Sequence, residues 1–323
     1  MRIFRHHTEL PTDARGAAVA IGNFDGVHRG HQAVIGEAGR IAQSGDMPWA
    51  VLTFEPHPRQ LFRPGDPPFR LTPFRIKARS VEAMGADEMI VLHFDRALAS
   101  LSADDFISEI LVKGLGVRHV VAGYDFVFGQ DRKGDCDLLL HRGRDGGFDF
   151  TAVGAVKDKS GEVYSSTRVR DCLVGADPVG AAAVLGRPFE IEGRIAEGDK
   201  RGRSIGFPTA NVPLEGEYLC PAMGVYAVRA GIDKGTGTVW HNGVANLGVR
   251  PTFGQKDTEN EIVLETHFLD GFDQDIYGQH LRVALVSYIR EEQKFDGVDA
   301  LKEQIGKDCI RASETLQAAG YSK

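Results

Sequence analysis

Ten residues near the start of the chain, GNFDGVHRGH (22–31), have the makings of an anion-handling loop. Gly22, Gly26 and Gly30 permit close backbone approach and unusual φ values. His28 and His31 stand three apart, which puts both on one face if the following helix has begun by His28. The start of a helix is a natural anion site. Beside phosphate, two imidazoles are pushed toward the charged, doubly donating form. At an effective dielectric of about 20, one charge pair about 4 Å apart is worth roughly 4 kcal/mol. That stabilisation acts on the charge that develops over phosphates during group transfer. The loop fits neither GxGxxG nor the Walker A pattern, which sets aside dinucleotide oxidoreductases and P-loop enzymes. An HxxH pair alone would be ordinary surface histidines; here it sits between a strand and a helix.

Three later segments bear on the same chemistry: TFEPHP (53–58), GYDFVFGQDRKGD (123–135) with Asp125, and YSSTRVR (164–170). The last offers hydroxyls and arginines that grip phosphate oxygens, and Ser165 or Ser166 would cap a helix. Each alone reads as an ordinary loop or cap.

The C-terminal half has its own polar groups. GDKRGRS (198–204) is a basic loop, but Gly198 and Gly202 stand one residue too close for a P-loop, and Arg203 occupies the place of its lysine. GFPTAN (206–211) follows. Thr209 and Asn211, two apart in an extended segment, present two oxygens to one side, a donor set for a hard cation such as Mg²⁺. Glu265 lies within the apolar EIVLETHFLD (261–270), sharing a face with Val263 and His267. A mid-strand carboxylate is usually solvated; in a cleft it would serve as general base for a hydroxyl nucleophile.

The elements that must position these groups differ between the halves. AAVAI (17–21), WAVLTF (49–54), EMIVLHF (88–94) and HVVAG (119–123) read as buried strands. Between them lie helical patterns: Val34, Ala38, Ile41 and Ala42 ending at Gly45; residues 74–84 ending at Gly85; and Phe106, Ile107, Ile110 and Leu111 ending at Gly114. Alternation of this kind predicts βαβ units on a parallel sheet, with ligands beyond the carboxyl ends of the strands. From LGRPFEIEG (185–193) onward, short strands with Gly, Pro and Asp between them predict an antiparallel barrel or sandwich. Leu301, Ile305, Cys309 and Ile310 mark a closing amphipathic helix. The expected domains are therefore 1–184 and 185–323.

The 323 residues carry 38 Lys+Arg against 45 Asp+Glu, a net charge of −7 that argues against general nucleic-acid binding. The four cysteines, Cys136, Cys172, Cys220 and Cys309, form no CxxC and read as reduced thiols. The N-terminus lacks a signal-peptide core, and no run of about 18 apolar residues offers a membrane span. A cytoplasmic setting, small-molecule substrates, no nucleic acid and no membrane are the expectations.

GNFDGVHRGH, TFEPHP, GYDFVFG and SSTRVR together resemble the adenylyltransferase module of prokaryotic bifunctional riboflavin kinase/FMN adenylyltransferases, within the HxGH nucleotidyltransferases. LGRPF, RGRSIGFPTAN, GVYAV, NLGVRPTF, LETHF and IREEQKF resemble the kinase module of the same family. The resemblance covers about residues 17 to 308 and implies a Rossmann-like α/β nucleotidyltransferase domain, then a six-stranded Greek-key β-barrel with a C-terminal helix. It also implies ATP as substrate of both reactions, Mg²⁺, and riboflavin converted to FMN and FMN to FAD with release of pyrophosphate.

In the first module the resemblance gives His28 and His31 the phosphates, joined by Gly22, Asn23, Phe24, Asp25, Gly26 and Gly30. Ser166, Thr167 and Arg170 would clasp the triphosphate, Asp125 and Gly129 would lie at adenine and ribose, and Phe54, Pro56 and Pro58 would border the flavin. In the second, Gly202, Arg203, Gly206, Phe207 and Pro208 would hold ATP, Thr209 and Asn211 the metal, and Arg290 the flavin, with Glu265 as base. Two positions depart from the family: Val127 stands where arginine is common, and Tyr164 replaces an isoleucine. The rivals are loss of one activity, a ligand sensor without turnover and an aminoacyl-tRNA synthetase fragment. The intact polar sets and the acidic charge disfavour them.

Overall fold

The apolar runs of the N-terminal half form strands because both faces of their sheet are covered. In the computed structural model, which describes residues 1–196, 206–214, 216, 218–235, 237–250, 261–271 and 276–321, the chain divides into two compact units, Met1–Ser166 and Thr167–Lys323.

The first unit holds six parallel strands: β1 (Arg2–Phe4), β2 (Ala18–Ile21), β3 (Trp49–Glu55), β4 (Glu88–His93), β5 (His119–Gly123) and β6 (Asp149–Val153). Their order is β1-β4-β3-β2-β5-β6. From β2 the chain works outward through β3 to β4, then crosses to β5 on the other side. The loops after β2 and β5 therefore leave the sheet at its switch point, where the fold opens a crevice.

Helices α1 (Arg29–Ser44) and α3 (Phe74–Ala83) cover one face, where Val34, Ile35, Ala38 and Val81 join Ala20, Val51 and Val121. The other face is covered by a π-helix (Phe106–Leu115) and α4 (Cys136–Gly146), with Phe106, Ile110, Leu111 and Leu139 against Val19, Leu52 and Ile90. Between β3 and α3 lies the short α2 (Pro58–Phe62). The π-helix runs past the expected stop. Gly114 is an internal close approach, where a Cβ would lie 2.8 Å from the carbonyl of His7. The chain turns instead at Gly116, with φ 59 and ψ 39.

In the second unit, α5 (Ser166–Val174, beginning on the last residue of the first unit) and α6 (Pro178–Leu185) precede the strands. Among the described residues these are β7 (Phe189–Arg194), β8 (Thr209–Pro213), β9 (Gly224–Asp233), β10 (Thr238–Arg250), β11 (Glu261–Phe268) and β12 (His280–Arg290). Their antiparallel order is β7-β12-β9-β10-β11-β8. The series β12-β9-β10-β11 places a fourth strand beside the first of three consecutive ones, the Greek-key arrangement expected. The end strands meet where the Ala196 N–H donates to the Asn211 carbonyl at 2.9 Å, so the sheet curls into a barrel.

Helix α7 (Val298–Ala318) packs on β9, β10 and β12, burying Ala312 and Leu316 with Val225, Ala227, Val244 and Ile289. Ile310, expected on its apolar face, is 62% exposed. Asp308 is buried instead, in an ion pair with Arg290.

Candidate functional site

Helix α1 starts later than a shared helical face for the two histidines would require. His28 is extended, at φ −69 and ψ 170, and caps the helix: its Nδ1 accepts the His31 N–H at 3.3 Å. A helix leaves its first N–H groups unpaired, and His28 takes one of them. The rings still meet, stacked with centroids 3.6 Å apart. An imidazole accepting at Nδ1 carries its proton on Nε2. In this geometry the Nδ1 of His28 is taken up by the cap and Nε2 is its remaining ring nitrogen. A Cβ on Gly30 would lie 3.0 Å from the His28 ring and 3.1 Å from the carbonyl of Tyr164. Tyr164 thus meets the motif through its backbone.

Behind the histidines the loop is held in a costly shape. Phe24, Gly26 and Val27 have φ of 47, 92 and 45. Bulky residues in that region cost about 1–3 kcal/mol each and persist only where the surroundings over-determine them. The ring of Phe24 is buried edge-on to His31 at 5.4 Å. Asp25 turns inward: its Oδ1 accepts the N–H groups of Leu71 (2.9 Å) and Thr72 (3.1 Å), and Thr72 Oγ1 accepts the Gly26 N–H at 2.9 Å. Ser166 Oγ, on the last residue of the first unit, donates to the Asp25 carbonyl at 2.8 Å. Thr167 and Arg170 follow on α5, in the second compact unit.

The Asn23 carbonyl accepts Thr53 Oγ1 at 3.1 Å and Lys77 Nζ at 3.0 Å. Lys77 and Arg70 share the Glu55 carboxylate, at 2.8 and 2.7 Å. Burial pushes the Lys77 ammonium below the usual lysine value, and Glu55 opposes that shift. Thr53 and Glu55 belong to the TFEPHP segment expected at the flavin, while Arg70, Thr72 and Lys77 carry no motif in the sequence. The available signal was a lysine among Ile76, Ala78 and Val81, on the face that α3 buries.

The structure places the expected flavin residues unequally. Phe54 lies in the core against Phe94 and Phe106. Pro58 opens α2, with His57 as its cap accepting the Arg59 N–H at 3.1 Å, and Pro56 is part-buried just before them. Phe62, not singled out from the sequence, is 66% exposed and meets Phe94 edge-on at 5.9 Å. Asp125 is exposed just beyond the carboxyl end of β5, with the part-buried Val127 two residues on. Gly129 has φ 71 and passes so close to the Ala103 backbone that a Cβ would lie 2.7 Å away.

In the second unit, Glu265 sits directly across from Asn211 on β8 and Asn246 on β10, so the three share one face. Asn211 is buried, and Thr209 Oγ1 donates to its Oδ1 at 3.4 Å. His267 Nδ1 donates to the Pro208 carbonyl at 2.9 Å and its ring meets Phe207 edge-on, fixing the GFPTAN turn, where Gly206 has φ 90. Gly202 and Arg203 lie outside the described residues. Arg290, expected at the flavin, is bound to Asp308 through Nε (3.0 Å) and a terminal nitrogen (2.7 Å). From the same IREEQKF stretch it is Glu292 that reaches the site strands, its Oε1 accepting Asn246 Nδ2 at 3.1 Å.

Residues 10–168 match the family model for FAD synthetase and residues 185–316 that for riboflavin kinase. The bifunctional riboflavin kinase/FMN adenylyltransferase of Escherichia coli K12 is 43% identical over 308 residues, 95% of each chain. That of Bacillus subtilis is 40% identical over 304 residues, 94% of this chain and 93% of its own. Among solved structures, the macrolide-efflux protein from Streptococcus pneumoniae is similar over 95% of this chain and 96% of its own, with TM-score 0.80 and 31% identity. No helix among the described residues is long and apolar enough to cross a membrane.

A nucleotidyltransferase unit followed by a kinase barrel makes this a two-activity transferase. The chain belongs to the bifunctional riboflavin kinase/FMN adenylyltransferase family, phosphorylating riboflavin to FMN and adenylylating FMN to FAD.

Proposed function

We propose the following division of labour. In the first unit, loop 22–31 receives the ATP phosphates, with Nε2–H of His28 and the ring of His31 donating to them and the Asn23 side chain beside them. Ser166 joins them at the triphosphate, while Asp125 and Gly129 take the ribose and adenine. The FMN phosphate attacks the α-phosphorus and pyrophosphate leaves. That phosphate is already anionic, so no base is needed and positioning with charge neutralisation carries the rate. Gly22, Phe24, Asp25, Gly26 and Gly30 shape the loop. The exposed face of Phe62, with Pro56 and Pro58 close by in sequence, is offered to the isoalloxazine ring.

In the second unit, Glu265 takes the proton of the riboflavin 5′-hydroxyl as the oxygen attacks the γ-phosphorus, the bond to the β-phosphate oxygen breaks and ADP leaves. Gly206, Phe207 and Pro208 border the ATP phosphates. Thr209 and Asn211 fit Mg²⁺: their oxygens are 3.4 Å apart, and two ligands at about 2.1 Å on neighbouring octahedral vertices lie about 3 Å apart. The metal would neutralise phosphate charge there. Glu265 pairs in register with Asn211, on the same face as that donor pair. A cytoplasmic setting for both reactions belongs to the same reading.

The observation that carries this reading is the stacked histidine pair at the start of α1, at the carboxyl edge of a parallel sheet beside its switch point. Two variants test it, each supplied with riboflavin and MgATP. His31→Ala should halt at FMN. Glu265→Gln should lose about 10²- to 10⁴-fold in kinase kcat and still convert added FMN to FAD. Normal FAD yield in the first, or normal kinase kcat in the second, overturns the corresponding assignment.

A further inference from the structure

Lys77 is a cation that neither reaction uses, and it is 1% exposed. An ammonium group removed from water is retained only where acceptors surround it. Here they are the Asn23 carbonyl at 3.0 Å, Glu55 Oε1 at 2.8 Å and Thr53 Oγ1 at 3.4 Å. Two of the three belong to the end of β3, and the third is the main chain of the loop itself. Thr53 turns its own hydroxyl to that same carbonyl at 3.1 Å, so two donors converge on one loop atom. The next residue, Phe24, carries φ 47. The carbonyl is thereby gripped from inside the protein, immediately before the chain takes its unusual turn toward His28 and His31.

We infer that Lys77 is a positioning residue for adenylyl transfer. It touches no substrate. Through the Asn23 carbonyl it fixes the loop backbone, so that the Asn23 side chain and the two histidines stand ready for the ATP phosphates before ATP arrives. Preorganised donors need no rearrangement when charge develops, and small misplacements of such groups cost large factors in rate. The inference rests on assigning loop 22–31 to ATP.

The charge count allows a clean variant. Glu55 also holds Arg70, both oxygens of the carboxylate lying 2.7 and 2.9 Å from one guanidinium nitrogen. Lys77→Met therefore fills similar space and leaves Glu55 paired with Arg70. FMN adenylylation is followed with ATP and FMN varied separately, and riboflavin phosphorylation by the same chain reports an intact second unit. Loss of one charge-assisted hydrogen bond predicts a rise in KM for ATP of roughly tenfold to a hundredfold, with KM for FMN and kinase activity unchanged. Thr53→Val removes the second donor together with the longest of the Lys77 contacts, at 3.4 Å, and should raise KM for ATP by a smaller factor. If Lys77→Met does not fold, Thr53→Val carries the test by the same criteria.

An unchanged KM for ATP in a folded variant overturns the inference. So does a rise in KM for FMN in step with that for ATP, which would mark general loosening of the unit. The reading it rests on fails separately: His31→Ala with normal FAD formation removes the ATP loop itself. Loss of FAD formation in His31→Ala beside a normal KM for ATP in Lys77→Met removes only the role of Lys77.

Discussion

Gly30 separates the two histidines and stands inside the first turn of α1. In most helices Gly→Ala is stabilising, by up to about 1 kcal/mol. Here a Cβ would press on the His28 ring at 3.0 Å and the Tyr164 carbonyl at 3.1 Å, both tighter than ordinary contact. Gly30→Ala should therefore keep or raise the melting temperature while FAD formation falls by about tenfold or more, as expected when a donor moves by a fraction of an ångström. Unaltered FAD formation would mean that the ring has room to give. The residues that meet ATP in this reading were legible because they are consecutive and of unusual type. Those that hold them were not: Thr53, Arg70, Thr72 and Lys77 approach the loop only through the fold. Phe54, expected to border the flavin, is buried in a strand covered on both faces.

At the level of elements, the four central strands of the first sheet were readable as continuous apolar runs. The edge strands β1 and β6 were not. RIF and DFTAV are short and hold no fully buried residue, so burial leaves little pattern in them. The barrel strands announced themselves by β-branched residues and turns, but not their order, which depends on pairings far apart in sequence. Helix α7 was visible, yet its buried face includes an aspartate. Asp308 holds Arg290 and also accepts Gln304 Nε2 at 3.0 Å, so one carboxylate pins the helix to β12. Breaking a buried pair from one side leaves the other charge stranded, at about 3–5 kcal/mol. Asp308→Ala should lose stability of that order in denaturant unfolding followed by kinase activity, with KM for riboflavin unchanged in the protein that remains folded. A raised KM for riboflavin without a stability loss would support Arg290 as a flavin contact.

For the whole molecule, the question is where the second unit begins. The change of sequence pattern and the start of the riboflavin kinase match both fall at residue 185, while the compact unit begins at Thr167 and includes α5 and α6. The difference is physical. Helix α6 packs on β7 and β12, burying Pro178, Ala181, Val184 and Leu185. Leu173 of α5 gives its carbonyl to the Ala222 N–H at 2.9 Å, just before β9. Pattern reading drew the line where helices stop and strands begin, but these helices have their partners in the barrel. Burying Val184 and Leu185 is worth about 1.5–3 kcal/mol each, a large share of the roughly 5–15 kcal/mol that holds a domain. A fragment of residues 167–323 should fold alone and phosphorylate riboflavin without making FAD. A fragment of residues 186–323 carries the same catalytic groups and strands, but leaves the apolar surface under α6 bare. It should melt well below the longer piece, lose kinase activity first on warming, and recover neither on adding riboflavin with MgATP at concentrations that saturate the longer fragment. Equal melting temperatures for the two fragments would show that α6 is an appendage of the barrel and that the boundary near residue 185 is the better one.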